Sequence, residues 1–256
     1  MHLIEKYEIL IERDASQISR LWKYGQMLLY LLSSMSGYIC SFLFYTLQEY
    51  IFGGKCPFWA TCSVISREQI GSVVDEDRIV SEWWEYVHTD YRYAVLCDVY
   101  LGTCLSSCTF GIIWFILFML CGKGGHNASL YERPWRIVLP AVVFNFLFTG
   151  ASIYSHYNLG QGYKAFNKSI MGIPFEMYNV YNVVLTLSDC DVVEGYMHIN
   201  NFYTHHDMCH VLPYLQTFSG LIVCCWIGGL MILLFRILVV NDFRILKVKI
   251  YEIKED

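Results

Sequence analysis

Charge is what this chain has least of. Only 16% of its 256 residues are Asp, Glu, Lys or Arg, where a soluble domain carries about a quarter. The deficit falls in blocks rather than being scattered, which excludes one large water-soluble core and points to membrane spans. Charge is nearly absent from the blocks themselves. Asp98 lies near the outer end of one and Arg236 near the inner end of another, where a long side chain can snorkel to the headgroups. No block has an ionisable residue at its centre, so proton-coupled transport and voltage sensing lose their machinery. Catalytic signatures are missing too: there is no G-x-x-x-x-G-K-[ST], no G-x-S-x-G and no H-E-x-x-H. Cys104 and Cys108 are four apart, not the C-x-x-C of a redox enzyme. No basic run suits nucleic acid. The expectation is no enzyme, no cofactor and no nucleic-acid partner. No small-residue cleavage site precedes the first block, so that span is expected to be retained.

What is there is apolar sequence in long pieces. Four blocks, at about 24–47, 94–121, 137–157 and 216–240, each reach the ~20 residues that cross a bilayer. Between the second and third lies a turn, 122–136, with Lys123, Arg133 and Arg136 against Glu132. Of the 18 lysines and arginines, 12 lie before the first block, in this turn, or from Arg236 onward, while 14 of the 23 acids fall in and beside the two other loops. Basic segments stay in the cytoplasm, so both termini and the turn are assigned there. The resulting plan is an all-α protein: a four-helix transmembrane bundle (24–240) with disulfide-braced extracellular loops at 48–93 and 158–215, a cytoplasmic N-terminal segment (1–23) and a cytoplasmic tail (241–256). Its membrane is the plasma membrane or a secretory or endosomal one.

The N-terminal segment places Leu3, Ile4, Tyr7, Leu10, Ile11, Ile18, Leu21 and Trp22 among charges at roughly helical spacing, which predicts an amphipathic helix on the inner leaflet. Tyr7-Glu8-Ile9-Leu10 also fits the tyrosine-x-x-apolar pattern that sorting adaptors read as an extended peptide. Within the spans, Ser33, Gly37 and Ser41, then Thr103, Ser107 and Gly111, then Gly220, Cys224 and Gly228 recur at intervals of four. Small residues so spaced line one helical face and let backbones approach in lipid. Asn145, near mid-span, is expected to hydrogen-bond to a neighbouring helix.

Five of the 11 cysteines, Cys56, Cys62, Cys97, Cys190 and Cys209, lie in the outer loops or at their edge, where an oxidising lumen would cross-link them. Sequence leaves the connectivity open. Cys56 with Cys97 and Cys190 with Cys209 are preferred, with Cys62 spare and Cys56 with Cys62 as a rival. Asn167-Lys168-Ser169 is a glycosylation acceptor on the outer side, whereas Asn127-Ala128-Ser129 falls in the cytoplasmic turn. His205, His206, Cys209 and His210 are the densest set of potential ligands. On a helix His206 and His210 would share a face, a spacing that suits zinc, but no second ligand pair stands beside them and a solvated loop is favoured. Loop one also carries the acidic run Asp75-Glu76-Asp77 and the pair Trp83-Trp84.

Gly54-Lys55-Cys56 opening loop one, Cys97 at the mouth of the second span, LCGKGGH from Leu120 to His126 and the two cysteines of loop two resemble the transmembrane protein 179 family. The resemblance implies an integral membrane protein of neuronal or endomembrane type, with no enzymatic residues to carry over. The expected function is an accessory or scaffold protein that binds another membrane protein, or a second copy of itself, through its helices and outer loops. The alternative is a pore-forming subunit of an oligomeric cation channel lined by Ser33, Ser36, Thr103, Ser107 or Asn145, with acidic loops concentrating cations at the mouth.

Overall fold

The computed structural model describes residues 2–12, 20–66, 76–121, 135–202, 208, 210–240 and 243–252. Four helices are long and apolar enough to cross a membrane: α1 (Arg20–Tyr45), α3 (Ala94–Cys121), α4 (Trp135–Ile170) and α7 (Val211–Phe235). In hydrocarbon every backbone donor and acceptor must be satisfied within the segment, which makes a helix the only solution for a single apolar stretch. α1 and α7 each end in a wider π-helical turn, Thr46–Ile51 and Arg236–Val240. The chain is a multi-pass membrane protein. Its outward side chains suit lipid: Phe146 and Leu147 on α4 are 67% and 62% exposed, which water would not favour over so wide a surface.

Shorter elements lie between the spans. These are β2 (Thr61–Val64), α2 (Glu76–Ser81), a 3-10 turn (Trp83–Tyr86), β3 (Val87–Asp90), α5 (Ile173–Tyr181) and α6 (Asp189–Ile199). β2 and β3 pair antiparallel, Thr61 opposite Asp90 and Val64 opposite Val87. α5 stops at Asn182, whose left-handed backbone (φ 61°) is a standard helix stop. α6 starts in a capping box: the Asp191 amide donates to Ser188 Oγ at 3.3 Å, and Asp191 Oδ2 accepts from the Ser188 amide at 2.7 Å, worth about 1 kcal/mol.

Three expectations change here. The N-terminal segment is not an amphipathic helix: His2–Glu12 forms β1, paired antiparallel with β4 (Phe243–Glu252), Tyr7 opposite Val248 and Glu12 opposite Phe243. Ile4, Tyr7, Ile9 and Ile11 are residues that pleated backbone favours, and their partner strand supplies Ile245, Val248 and Ile250. The molecule is therefore mostly, not wholly, helical. The helix of the third span does not stop near Tyr157 with its apolar block, because α4 continues without a break to Ile170; loss of hydropathy marks the end of the apolar stretch, not of the helix. Arg236, expected to snorkel, is 3% exposed and taken up in packing.

The chain divides into two compact units, and each long helix contributes one part to each. The first holds 1–34, 109–149 and 224–256, the second 35–108 and 150–223. In the first, aromatic side chains from all four spans interleave: Tyr30 of α1 lies 6.3 Å from Trp114 and 5.5 Å from Phe118 of α3, and 5.8 Å from Trp226 of α7, which is 4.8 Å from Phe148 of α4. β1 and β4 belong to this unit. Their pairing holds the start of the first span and the end of the fourth on one side of the membrane. In the second unit a disulfide joins Cys56 to Cys97, and two aromatic groups, Phe44 with Phe58 and Tyr100, and Phe52 with Phe166 and Tyr196, fill the space beside it.

Candidate functional site

The small-residue faces are used for contact between α1 and α3. A Cβ at Gly37 would stand 2.8 Å from the Cys104 carbonyl oxygen and 2.9 Å from the Cys108 amide nitrogen; one at Gly111 would stand 2.9 Å from the Tyr30 carbonyl oxygen. Ser33, Ser41 and Ser107 are buried along the same seam. The third triplet is looser. Gly220 would meet His156 at 3.6 Å and Gly228 would meet Leu29 at 3.3 Å, while Cys224 is an exposed thiol. Thr103 donates to the Val99 carbonyl at 2.8 Å and accepts from Ser155 at 3.0 Å.

Asn145 is fully buried and donates to Tyr30 Oη at 2.6 Å and to the Ala141 carbonyl at 2.7 Å. Gln26 joins the cluster, and Gly229 makes room for it: a Cβ there would lie 2.8 Å from Asn145 Oδ1 and 2.9 Å from Gln26 Nε2. Of the side chains expected to line a pore, Ser33, Ser36, Ser107 and Asn145 are all buried in packing.

Among the outer cysteines, Cys56 and Cys97 are bonded to each other, Cys190 is disulfide-bonded and Cys62 is a free thiol. Cys209 lies outside the described residues. Cys62 sits on β2 within 3.6 Å of Tyr196 Oη and 3.7 Å of Thr89 Oγ1, which also bond to each other. Burial pushes its thiol up from the ordinary value despite these hydrogen bonds, and pushes Tyr91 beside it up to about 12 and Tyr196 higher still. The Cys62 thiol is 8% exposed and packed against these two hydroxyls. The cluster is structural.

The remaining sequence candidates fall as follows. Asn167 lies inside α4, its Nδ2 donating to Asp189 Oδ1 at 3.1 Å, and Ser169 Oγ accepts from the Cys62 amide at 2.8 Å, so both polar members of the glycosylation acceptor are engaged. Asn127, Asp75, His205 and His206 lie outside the described residues. His210 has its ring 6.4 Å from Tyr214. Among the described residues no three His, Cys, Asp or Glu converge as a metal site. The Tyr7 sorting pattern lies in β1, where its backbone already pairs with β4.

The outer loops also form a cleft that sequence inspection does not assemble. About 470 Å³ in volume, it is lined by Val80, Ser81, Trp83 and Trp84 from loop one and by 184–187, Asp191, Glu194 and His198 from loop two, all within the second unit. Trp83 is buried against Gly195 of α6, where a Cβ would approach its ring to 2.6 Å. Only glycine lets the indole seat there. Trp84 then turns its edge to Trp83 (6.1 Å, 78°) and stacks flat on His198 (4.9 Å, 5°). The Trp83-Trp84 pair was the visible signal; its partners stand a hundred residues away. Compared with family models, curated proteins and solved structures, the chain matches none.

Proposed function

We propose that this multi-pass membrane protein is an accessory or scaffold subunit that binds another membrane protein, with the folded outer loops as its principal recognition surface. One observation carries the reading: Ser33, Ser36, Ser107 and Asn145 of the spans are buried in packing, with Thr103 partly so, whereas the loops present an open, walled cleft. A conduction path needs polar groups facing water, and the aromatic filling of the first unit offers none. Disulfides at Cys56–Cys97 and Cys190 fit an oxidising compartment. The loops are accordingly assigned to the outside or lumen and both termini to the cytoplasm, in the plasma membrane or a secretory or endosomal membrane. Tagged protein extracted in mild detergent is expected to co-purify with a stoichiometric membrane partner or with a second copy. Recovery of a lone monomer from every detergent that preserves known complexes overturns the reading.

A further inference from the structure

One wall of the cleft is a segment of backbone with nothing paired to it. Between the end of α5 and the cap of α6, Val183 to Leu187 has no regular secondary structure. Burial nevertheless alternates along it: Val183 and Leu185 are inside, 6% exposed each, while Val184 is 75% exposed and Thr186 also faces out. That period of two is the signature of extended chain with one face packed. Among the described residues, no backbone hydrogen bond is made by any residue from Val183 to Leu187. Such a row of open donors and acceptors is a template for one more strand.

The facing wall says what that strand carries. Glu194 lines the cleft, together with Asp191 of the helix cap and the Trp84–His198 stack, and among the described residues no lysine or arginine does. Carboxylates and an indole face together select a cationic side chain, and the volume is that of a pocket for a few residues rather than a single ion. We infer that this cleft binds an extended, basic peptide segment of a partner, which pairs its backbone with Val183–Leu187 and places a lysine or arginine between Glu194 and Trp84.

The inference rests on the outer loops being a recognition surface and adds the chemistry of what they recognise. The test uses the full chain in lipid nanodiscs, with tryptophan fluorescence or calorimetry as readout. The probe is a short synthetic peptide of alternating lysine and valine. It is expected to bind, to lose binding when lysine is replaced by glutamate, and to bind about tenfold more weakly to Glu194→Gln, one charge-assisted contact being worth roughly 1.4 kcal/mol. Methylating one alternate set of peptide amides should abolish binding while methylating the other set is tolerated, since a strand edge uses every second amide.

Failure of the basic peptide to bind overturns the inference. So does equal binding of both methylated sets, or displacement of the peptide by tetramethylammonium at matching concentration, which would make the cleft a site for small cations. Failure of the peptide while a partner still co-purifies removes the cleft and leaves the accessory reading standing; a lone monomer that binds the peptide does the reverse.

Discussion

The two units solve the same problem, holding four helices together, with different chemistry. The first relies on interleaved rings and one buried amide cluster; among the described residues it has no disulfide, and its sequence carries the basic turn and both termini. Each unit has one two-stranded pairing, and the second adds disulfides and hydrogen-bonded loops to the ends of the same helices. The difference follows from what each stretch has to bury. In the first, the side chains of the spans suffice, because packing and not hydrophobic exclusion drives helix contact in lipid. In the second, the loops bury their own side chains, Phe52, Phe58 and Ile173 among them, and covalent bracing restricts their unfolded ensemble as well.

The sharpest way to break this contrast is reduction. Cys56→Ser is expected to cost roughly 2–4 kcal/mol. The loss should be confined to the second unit, measured by hydrogen exchange as new exposure of 48–66 and 87–97 with protection retained around Tyr30 and Trp226. Uniform loss of protection would show that the units unfold as one. A smaller loss is expected from Gly37→Leu. The Cβ alone meets the α3 backbone, so overpacking should cost about 1–3 kcal/mol, seen as a lower melting temperature in detergent, with Gly102→Leu, where a Cβ meets nothing within 4 Å, near neutral.

Alkali should separate the units more gently. Tyr91 and Cys62 are acids whose folded values are raised above the unfolded ones. Their contribution is full below the unfolded values and is lost as pH climbs through the folded ones, between about 10 and 12 for Tyr91. Unfolding of the second unit is expected to begin in that window, and Tyr91→Phe should blunt it. A melting temperature flat to pH 12 would refute the assignment. The smallest effect should come from Asn145→Leu. It removes the bond to Tyr30, but it also leaves no amide to be satisfied in the core, so stability should change by no more than about 1 kcal/mol; a loss several times larger would make the amide cluster the keystone of the first unit.

The legible part of the fold is the part that one local property decides. Ala94–Cys121 was bounded residue for residue by hydropathy alone, because both its ends coincide with the edges of the apolar run. The apolar block of 137–157 is shorter than α4 because 158–170 is more polar yet still helical, and polarity reports solvent, not backbone. β1 resembles a helix in sequence because its pairing partner lies more than two hundred residues away, and a single strand without its neighbour shows only a mixed pattern. The cleft was invisible for the same reason. Trp84, Thr186, Glu194 and His198 are unremarkable singly, and the glycine that seats the neighbouring indole looks like any other until its contact is known.

The pairing of β1 with β4 carries a consequence for biogenesis. β1 precedes all four spans and β4 follows them, so the first strand cannot find its mate until every span between them has been translated. The clasp also closes only when every span has inserted. A molecule that skips one would leave the two strands on opposite faces of the bilayer, unable to pair.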